Sequence, residues 1–125
     1  MYQKILWLGL AGMLGTMARY GLGGLVQKSA GAEFPWGTLA VNALGCFFAG
    51  MFWVLSESYV HLGGQTRVII LIGFMGAFTT FSSFILETGE LMRSAEWVRA
   101  GINIVLQNLT GILALFLGMI AGQLL

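Results

Sequence analysis

Residues 73–84, GFMGAFTTFSSF, place glycines and hydroxyl residues inside an otherwise apolar stretch of the chain. Gly76 permits positive φ angles and close backbone approach. Thr79 and Thr80 are β-branched, and their hydroxyls can bond neighbouring carbonyls. Within a bilayer, the backbone can leave regular helix only where protein or water satisfies its polar groups. We therefore predict a membrane helix that breaks near residues 76–80 and then resumes.

The phenylalanines of this stretch bear on the function of the break. Phe78, Phe81 and Phe84 follow one another at three-residue intervals, which predicts that they lie near one face of the second half of the helix. An aromatic ring has a negative face and a positive edge. Ring edges beside hydroxyls, in a low dielectric, can hold a small anion without a full positive charge. The alternative is a packing helix whose phenylalanines fill the core or face lipid.

The composition of the whole chain indicates an integral membrane protein. Of its 125 residues, 58% are hydrophobic and 9% are charged, whereas a soluble domain has about 25% charged residues. The mean hydropathy is +0.86. The length predicts a single transmembrane domain, residues 1–125. A net charge of +1 gives no basic footprint for nucleic acid.

The side chains that most enzymes need are scarce in this sequence. It contains one cysteine, Cys46, one histidine, His61, and no aspartate. An intrachain disulfide, a cluster of histidine and aspartate metal ligands and a Ser-His-Asp triad are therefore excluded within one chain. We interpret Cys46, which lies in an apolar run, as a packing residue. We predict no enzymatic activity.

Four apolar stretches are each long enough to cross a 30 Å hydrocarbon core, which needs roughly 20 helical residues. They are residues 5–26, 37–55, 68–92 and 100–125. Polar connections separate them at residues 27–36, 56–66 and 93–99, and His61 lies in the second connection. The predicted fold class is an all-α integral membrane protein with four transmembrane helices and short loops.

Several polar residues inside these spans have two interpretations each. Arg19 costs about 2.5–3.5 kcal/mol at a bilayer centre; it either extends to the interface or has a structural or vestibular role. Asn42 either bonds another helix or donates to a passing anion. Glu87 and Glu90, at the end of the third span, are either solvated end residues or a partner for Arg19.

The fourth span carries a polar stripe. Asn103, Gln107 and Thr110 recur at positions i, i+4 and i+7, so they share one helix face. Such a stripe either bonds other helices or lines a polar path. Gly118 and Gly122 form a GxxxG pair, which is typical of close helix contact in membranes.

The basic residues give almost no orientation signal. Lys4 and Arg67 lie on one side of the membrane, and Lys28, Arg93 and Arg99 lie on the other. Under the positive-inside rule this is nearly balanced, so the chain could insert both ways and two copies could assemble antiparallel. Four helices fill their own centre, so polar faces on several spans favour a partner chain.

The run GFMGAFTTFSSF, with Asn42 and with GMLGTMARY in the first span, resembles the Fluc fluoride channels, also called CrcB proteins, over essentially the whole chain. The family commonly has two glycines where this chain has Gly76 and Ala77, and a threonine where it has Ser83. The resemblance implies a dual-topology antiparallel homodimer in the inner (plasma) membrane bilayer. Its two pores would conduct fluoride passively out of the cell.

The same resemblance implies roles for particular residues. Phe81 and Phe84 would point ring edges at fluoride, and Asn42 would donate to it. A structural sodium ion would lie at the dimer centre, held by the backbone carbonyls of Gly76 and Thr79 from both chains; broken membrane helices do present carbonyls to cations. The other candidates for the polar lining of the pore are Thr80, Ser82, Ser83, Asn108 and Thr110.

Two other classes of protein remain as alternatives. A proton-coupled exporter of the small-multidrug type is also a four-span antiparallel dimer. Such an exporter encloses a cavity and has a membrane-embedded glutamate in its first span. The first span here contains Arg19 and no acidic residue. A purely structural membrane subunit would explain the glycines and the polar stripe, but not the run of hydroxyls and phenylalanines.

Overall fold

The computed structural model describes residues 1–58 and 62–125, and every regular element in this part of the chain is helical. The elements are α1 (Tyr2–Ala30), α2 (Trp36–Ser58), α3 (Gly64–Val68), a π-helical segment (Ile69–Met75), α4 (Gly76–Phe78), α5 (Phe81–Arg93) and α6 (Trp97–Leu124). Among the described residues, four stretches are long and apolar enough to cross a membrane. This confirms the predicted number of spans.

The first helix is longer than predicted. Residues 27–30, expected in a connection, continue α1 until Gly31, which has φ 101° and ψ 167°. The Gln27 side chain stabilises this end because its amide donates to the carbonyls of Gly31 (2.6 Å) and Phe34 (2.8 Å). Its oxygen accepts from the backbone N–H of Gly37 at 3.0 Å. One side chain therefore joins the end of α1, the connection and the start of α2.

The other predicted connections are shorter than expected as well. Helix α2 continues to Ser58 and α3 begins at Gly64, so the predicted loop over residues 56–66 is wrong at both ends. Residues 59–61, including His61, lie outside the described residues. Helix α6 begins at Trp97. Its Arg99 forms ion pairs with Glu33 (3.0 Å) and Glu96 (3.2 Å).

Glycines bring the long helices together. The most extensive contact joins α2 and α6. A Cβ atom built at Gly118 would overlap the carbonyl oxygen of Phe47, and one at Gly122 would lie 2.8 Å from that of Met51. The close contact predicted for the GxxxG pair is confirmed. On the other side, α1 packs against the π-helical segment and α4, where Gly15 lies against the backbone of Phe74.

The third span is broken, and the break is narrower than predicted. Thr79 (φ −84°, ψ 157°) and Thr80 (φ −150°, ψ 111°) are extended, a conformation that β-branched residues favour. Gly76 has helical angles, φ −62° and ψ −32°. The freedom of Gly76 to adopt a positive φ is therefore not used, because the chain remains helical through Phe78.

The break also separates the phenylalanines. Phe78 ends α4, is buried, and stacks on Phe74 with ring centroids 6.0 Å apart. Phe81 and Phe84 belong to α5, after the break. The prediction that all three rings share one helical face is wrong, since the two extended residues interrupt the helical periodicity between the first ring and the others.

Candidate functional site

Asn42 clamps the break from the neighbouring helix. The backbone N–H of Thr80 donates to Asn42 Oδ1 at 2.8 Å, and Asn42 Nδ2 donates to the Thr80 carbonyl at 3.1 Å. The same Nδ2 donates to Gln107 Oε1 at 3.1 Å. The interpretation that Asn42 bonds other helices is confirmed. Because both amide hydrogens are used in these bonds, donation to an ion stays a prediction.

Hydroxyl groups gather where α5 begins. Thr80 is the N-cap: its Oγ1 accepts from the backbone N–H of Ser83 at 3.2 Å. The Thr80 hydroxyl also donates to Ser83 Oγ at 3.0 Å and lies 3.4 Å from Ser82 Oγ. The N-terminus of a helix carries a partial positive charge. This corner therefore combines a helix dipole with neutral donors, which suits an anion.

The two rings of α5 lie beside these hydroxyls. Phe81 and Phe84 pack edge to face, with centroids 5.5 Å apart and planes at 71°. Phe84 is buried, whereas Phe81 is 74% exposed in the single chain. One ring is thus held by its own chain, and the other is available to a lipid, an ion or a second chain.

Two grooves meet at Thr80. The first, which we call the neutral groove, has a volume of about 220 Å³ and no charged residue in its wall. Its polar and aromatic wall residues are Asn42, Thr79, Thr80, Phe81, Phe84, Gln107 and Asn108. The second, the arginine groove, has a volume of about 320 Å³ and includes Arg19, Thr38, Thr80 and Ser83 in its wall.

The predicted residues of α6 are in different situations. Asn108 is exposed, lies in the wall of the neutral groove, and donates to the carbonyl of Ile104 at 2.7 Å. Thr110 donates to the carbonyl of Leu106 at 2.6 Å. Their pore roles stay predictions.

The α6 residues that reach other helices are Asn103 and Gln107, and both are buried. Gln107 bonds Asn42 of α2, and Asn103 donates to Thr88 Oγ1 of α5 at 2.9 Å. The sequence signal for these two residues was their i, i+4 spacing. We interpreted this stripe either as bonding other helices or as lining a polar path, and the bonding of other helices is confirmed for both residues. Thr88 itself was missed, because a threonine near the end of an apolar span carries no distinctive pattern.

Glu87 bonds a neighbour other than Arg19. Its Oε1 accepts from the Thr38 hydroxyl at 2.6 Å. Within the part of the chain that the structure describes, the ion pairs involve Arg67 and Arg99 and do not include Arg19. Arg19 instead lines the arginine groove as a half-buried residue, which is consistent with the vestibular interpretation.

The break frees backbone carbonyls, among them those of Gly76 and Thr79. In a continuous helix the N–H of Thr80 would bond the Gly76 carbonyl, and the N–H of Ser83 would bond the Thr79 carbonyl. These N–H groups donate instead to Asn42 Oδ1 and Thr80 Oγ1. Carbonyl oxygens released in this way are ligands that a hard cation accepts. The residues present therefore fit the sodium site that the resemblance implies.

The helices and the grooves together define a class of protein: a multi-pass helical membrane protein with a broken span beside a polar, uncharged groove. The sequence model of the family described as "CrcB-like protein, Camphor Resistance (CrcB)" matches residues 6–119. The chain belongs to this family, which confirms the resemblance found in the sequence.

Relatives resemble the chain over its whole length. Proteins from Nitrosococcus oceani and Desulforapulum autotrophicum are 50% and 52% identical over 125 residues, which is all of this chain and all of each relative. A protein from Nitratidesulfovibrio vulgaris is 48% identical over 122 residues, 98% of both chains. Each is named "Fluoride-specific ion channel FluC".

Proposed function

We propose that this protein is a fluoride-specific ion channel of the plasma membrane that lets fluoride leave the cell passively. The observation that carries the proposal is the neutral groove, formed where Asn42 clamps the broken span beside Phe84. It occurs in a chain that is 50% identical along its full length to a protein named "Fluoride-specific ion channel FluC". The groove gives a physical reason for that function.

Fluoride is small and strongly hydrated, so a path must replace its water with other donors. In the neutral groove these donors are the ring edges of Phe81 and Phe84, the Thr80 hydroxyl and the Asn108 amide. The proposed path continues to the hydroxyls of Ser82 and Ser83, which lie beside the Thr80 hydroxyl. A fixed cation would hold the ion too tightly, whereas conduction needs several moderate sites. Asn42 holds the Thr80 end of this path, because it bonds both the N–H and the carbonyl of Thr80.

The working unit that we propose is an antiparallel homodimer with two pores. The balance of basic residues supports it, because neither orientation is favoured. The exposure of Phe81 supports it too, since this ring needs a second wall to form a narrow path. A groove on one chain cannot enclose an ion, and an inverted copy would supply the missing wall.

We further propose that a sodium ion at the centre of this dimer is held by the carbonyls of Gly76 and Thr79 from both chains. The support is that the N–H groups of Thr80 and Ser83, which would occupy these carbonyls in a continuous helix, are bonded elsewhere. An unsatisfied carbonyl in lipid costs several kcal/mol. Bound sodium would supply the positive charge that compensates four carbonyl dipoles, two from each chain.

The exporter alternative loses its support. Helix α1 contains Arg19 and no acidic residue, so the carboxylate that such an exporter needs in its first span is missing. The named relatives are ion channels. The alternative of a purely structural subunit does not account for the neutral groove.

The test is ion efflux from liposomes that contain the purified protein. Potassium fluoride is loaded inside, valinomycin is added to carry the balancing potassium, and a fluoride electrode follows the release. We expect release of fluoride that stops without valinomycin, and no release above protein-free liposomes when potassium chloride replaces the fluoride. Equal release of both halides, or fluoride release no faster than from empty liposomes, would refute the proposal.

A further inference from the structure

A line of hydrogen bonds leaves the break through the neighbouring helices. It begins at the backbone N–H of Thr80, which donates to Asn42 Oδ1 at 2.8 Å. Asn42 Nδ2 then donates to Gln107 Oε1 at 3.1 Å. The line thus passes from α5 to α2 and from α2 to α6.

The same line returns to the helix where it began. Gln107 Nε2 donates to Asn103 Oδ1 at 3.5 Å, and Asn103 Nδ2 donates to Thr88 Oγ1 at 2.9 Å. The Thr88 hydroxyl donates to the carbonyl of Phe84 at 2.7 Å. We call the four side chains between Thr80 and Phe84 the amide relay: Asn42, Gln107, Asn103 and Thr88.

Three properties distinguish the amide relay from ordinary helix contacts. Each donor points in the same direction along it, so the bonds polarise one another. Asn103 has 0% exposure and Thr88 is buried as well, so water does not replace the bond between them when it is lost. Its two ends bracket the turn from Thr80 to Phe84, which carries the rings and hydroxyls of the proposed path.

We propose that Gln107, Asn103 and Thr88 are positioning residues for fluoride conduction: through the amide relay they fix the Asn42 clamp and the place of the Phe84 ring. This inference rests on the proposed function, and it gives these residues a role other than contact with the ion. Loss of any link releases the turn at one end. The ring then leaves the place at which its edge lines the neutral groove.

The competing explanation is that the Thr88 hydroxyl only satisfies its own helix. A threonine commonly bonds the carbonyl four residues earlier, as Thr88 does with Phe84. Ser56 offers a control, because its hydroxyl is buried and bonds the Trp53 carbonyl of its own helix at 2.8 Å. Ser56 lies near the end of α2 and outside the amide relay.

The flux experiment compares Thr88→Val, Thr88→Ser and Ser56→Ala in the liposome assay. Thr88→Val keeps the volume but removes the acceptor of Asn103 Nδ2, so fluoride release should fall by roughly tenfold. Thr88→Ser keeps the hydroxyl and should conduct like the parent, as should Ser56→Ala. Parent-like release by Thr88→Val, or an equal loss in Ser56→Ala, would overturn the inference.

A second variant breaks the amide relay from another helix. Gln107→Met removes both amide groups at similar length and should also reduce release by roughly tenfold. Thr88 and Gln107 are linked through Asn103, so combining the two changes should cost little more than one of them. Losses that multiply in the double variant would show two independent packing sites and no relay.

A readout that does not depend on flux keeps this inference separate from the proposed function. 4-Fluorophenylalanine is incorporated in place of Phe84, and its ¹⁹F NMR line is recorded in detergent. We expect one line in the parent, Thr88→Ser and Ser56→Ala, and a shifted or split line in Thr88→Val. If the parent releases no fluoride, the proposed function fails. The NMR comparison still tests whether the amide relay fixes the place of the Phe84 ring. An unchanged line in Thr88→Val would refute it.

Discussion

Replacing Gly45 with alanine tests how closely α2 must approach the break in the third span. Gly45 is buried, and a Cβ atom built on it would overlap the Cγ2 methyl of Thr79 and lie 3.2 Å from Cδ1 of Phe78. Carbon atoms pack best at about 3.5–4.0 Å. The methyl of alanine would therefore push on the extended residue that opens the break.

The size of the effect follows from this overlap. Inserting a methyl group into a well-packed core costs roughly 1–3 kcal/mol, and every 1.4 kcal/mol is about tenfold in an equilibrium. If the strain falls on the break, the equilibrium ratio of native to altered break decreases by roughly 5- to 150-fold. Fluoride release from liposomes should decrease by up to this factor.

A second substitution should reverse the loss. Thr79→Ser removes the Cγ2 methyl but keeps the hydroxyl that donates to the Met75 carbonyl at 3.0 Å. The double variant Gly45→Ala/Thr79→Ser should recover most of the parent rate. Gly12→Ala is the matched control, because its Cβ would lie 3.7 Å from the nearest atom, the carbonyl oxygen of Gly73. The control should conduct normally.

Two results would refute this reasoning. The first is a Gly45→Ala variant that releases fluoride as fast as Gly12→Ala, which would mean that the break accommodates the methyl group. The second is a double variant no faster than Gly45→Ala alone, which would mean that the contact with Thr79 is not the cause. Size-exclusion profiles of all variants establish that equal amounts of folded protein are compared.

Three further predictions concern the rings, the orientation and the helix packing. Phe81→Ile and Phe84→Ile keep bulk but remove the positive ring edge, so each should reduce fluoride release strongly without changing the size-exclusion profile. Release at the parent rate would mean that the rings serve only as packing residues. Two or three lysines at residues 63–65, where α3 begins, should impose one orientation. Growth in fluoride should then be lost with this variant alone and regained when an oppositely biased variant is expressed with it. Full growth from a variant shown to have one orientation would contradict the antiparallel dimer. Gly118→Ala should lower the melting temperature in detergent because its methyl would overlap the Phe47 carbonyl oxygen, whereas Gly101→Ala, which has open space around it, should not. Equal melting temperatures would contradict the close contact of α6 with α2 at Gly118.

The number of spans and the presence of a break could be read from the sequence. Transfer into lipid depends on the local sum of apolar side chains, so hydropathy is sufficient to predict the spans. A local cluster of hydroxyl residues beside Gly76 likewise indicates where a membrane helix is weak. The orientation of the chain, the dimer and the sodium ion stay predictions of the sequence and of the family resemblance.

The shape of the break was decided by tertiary structure. Asn42, which lies 38 positions from Thr80, satisfies the backbone on both sides of that residue, so the extended conformation occurs there and leaves Gly76 helical. Tertiary structure also decided that Asn103, and not Asn108, bonds a neighbouring helix. Both are asparagines of one helix, but the packing of α6 against α2 and α5 buries the first and exposes the second. Hydrogen-bond partners distant in sequence are determined by which helix faces meet, and that is a property of the packed bundle.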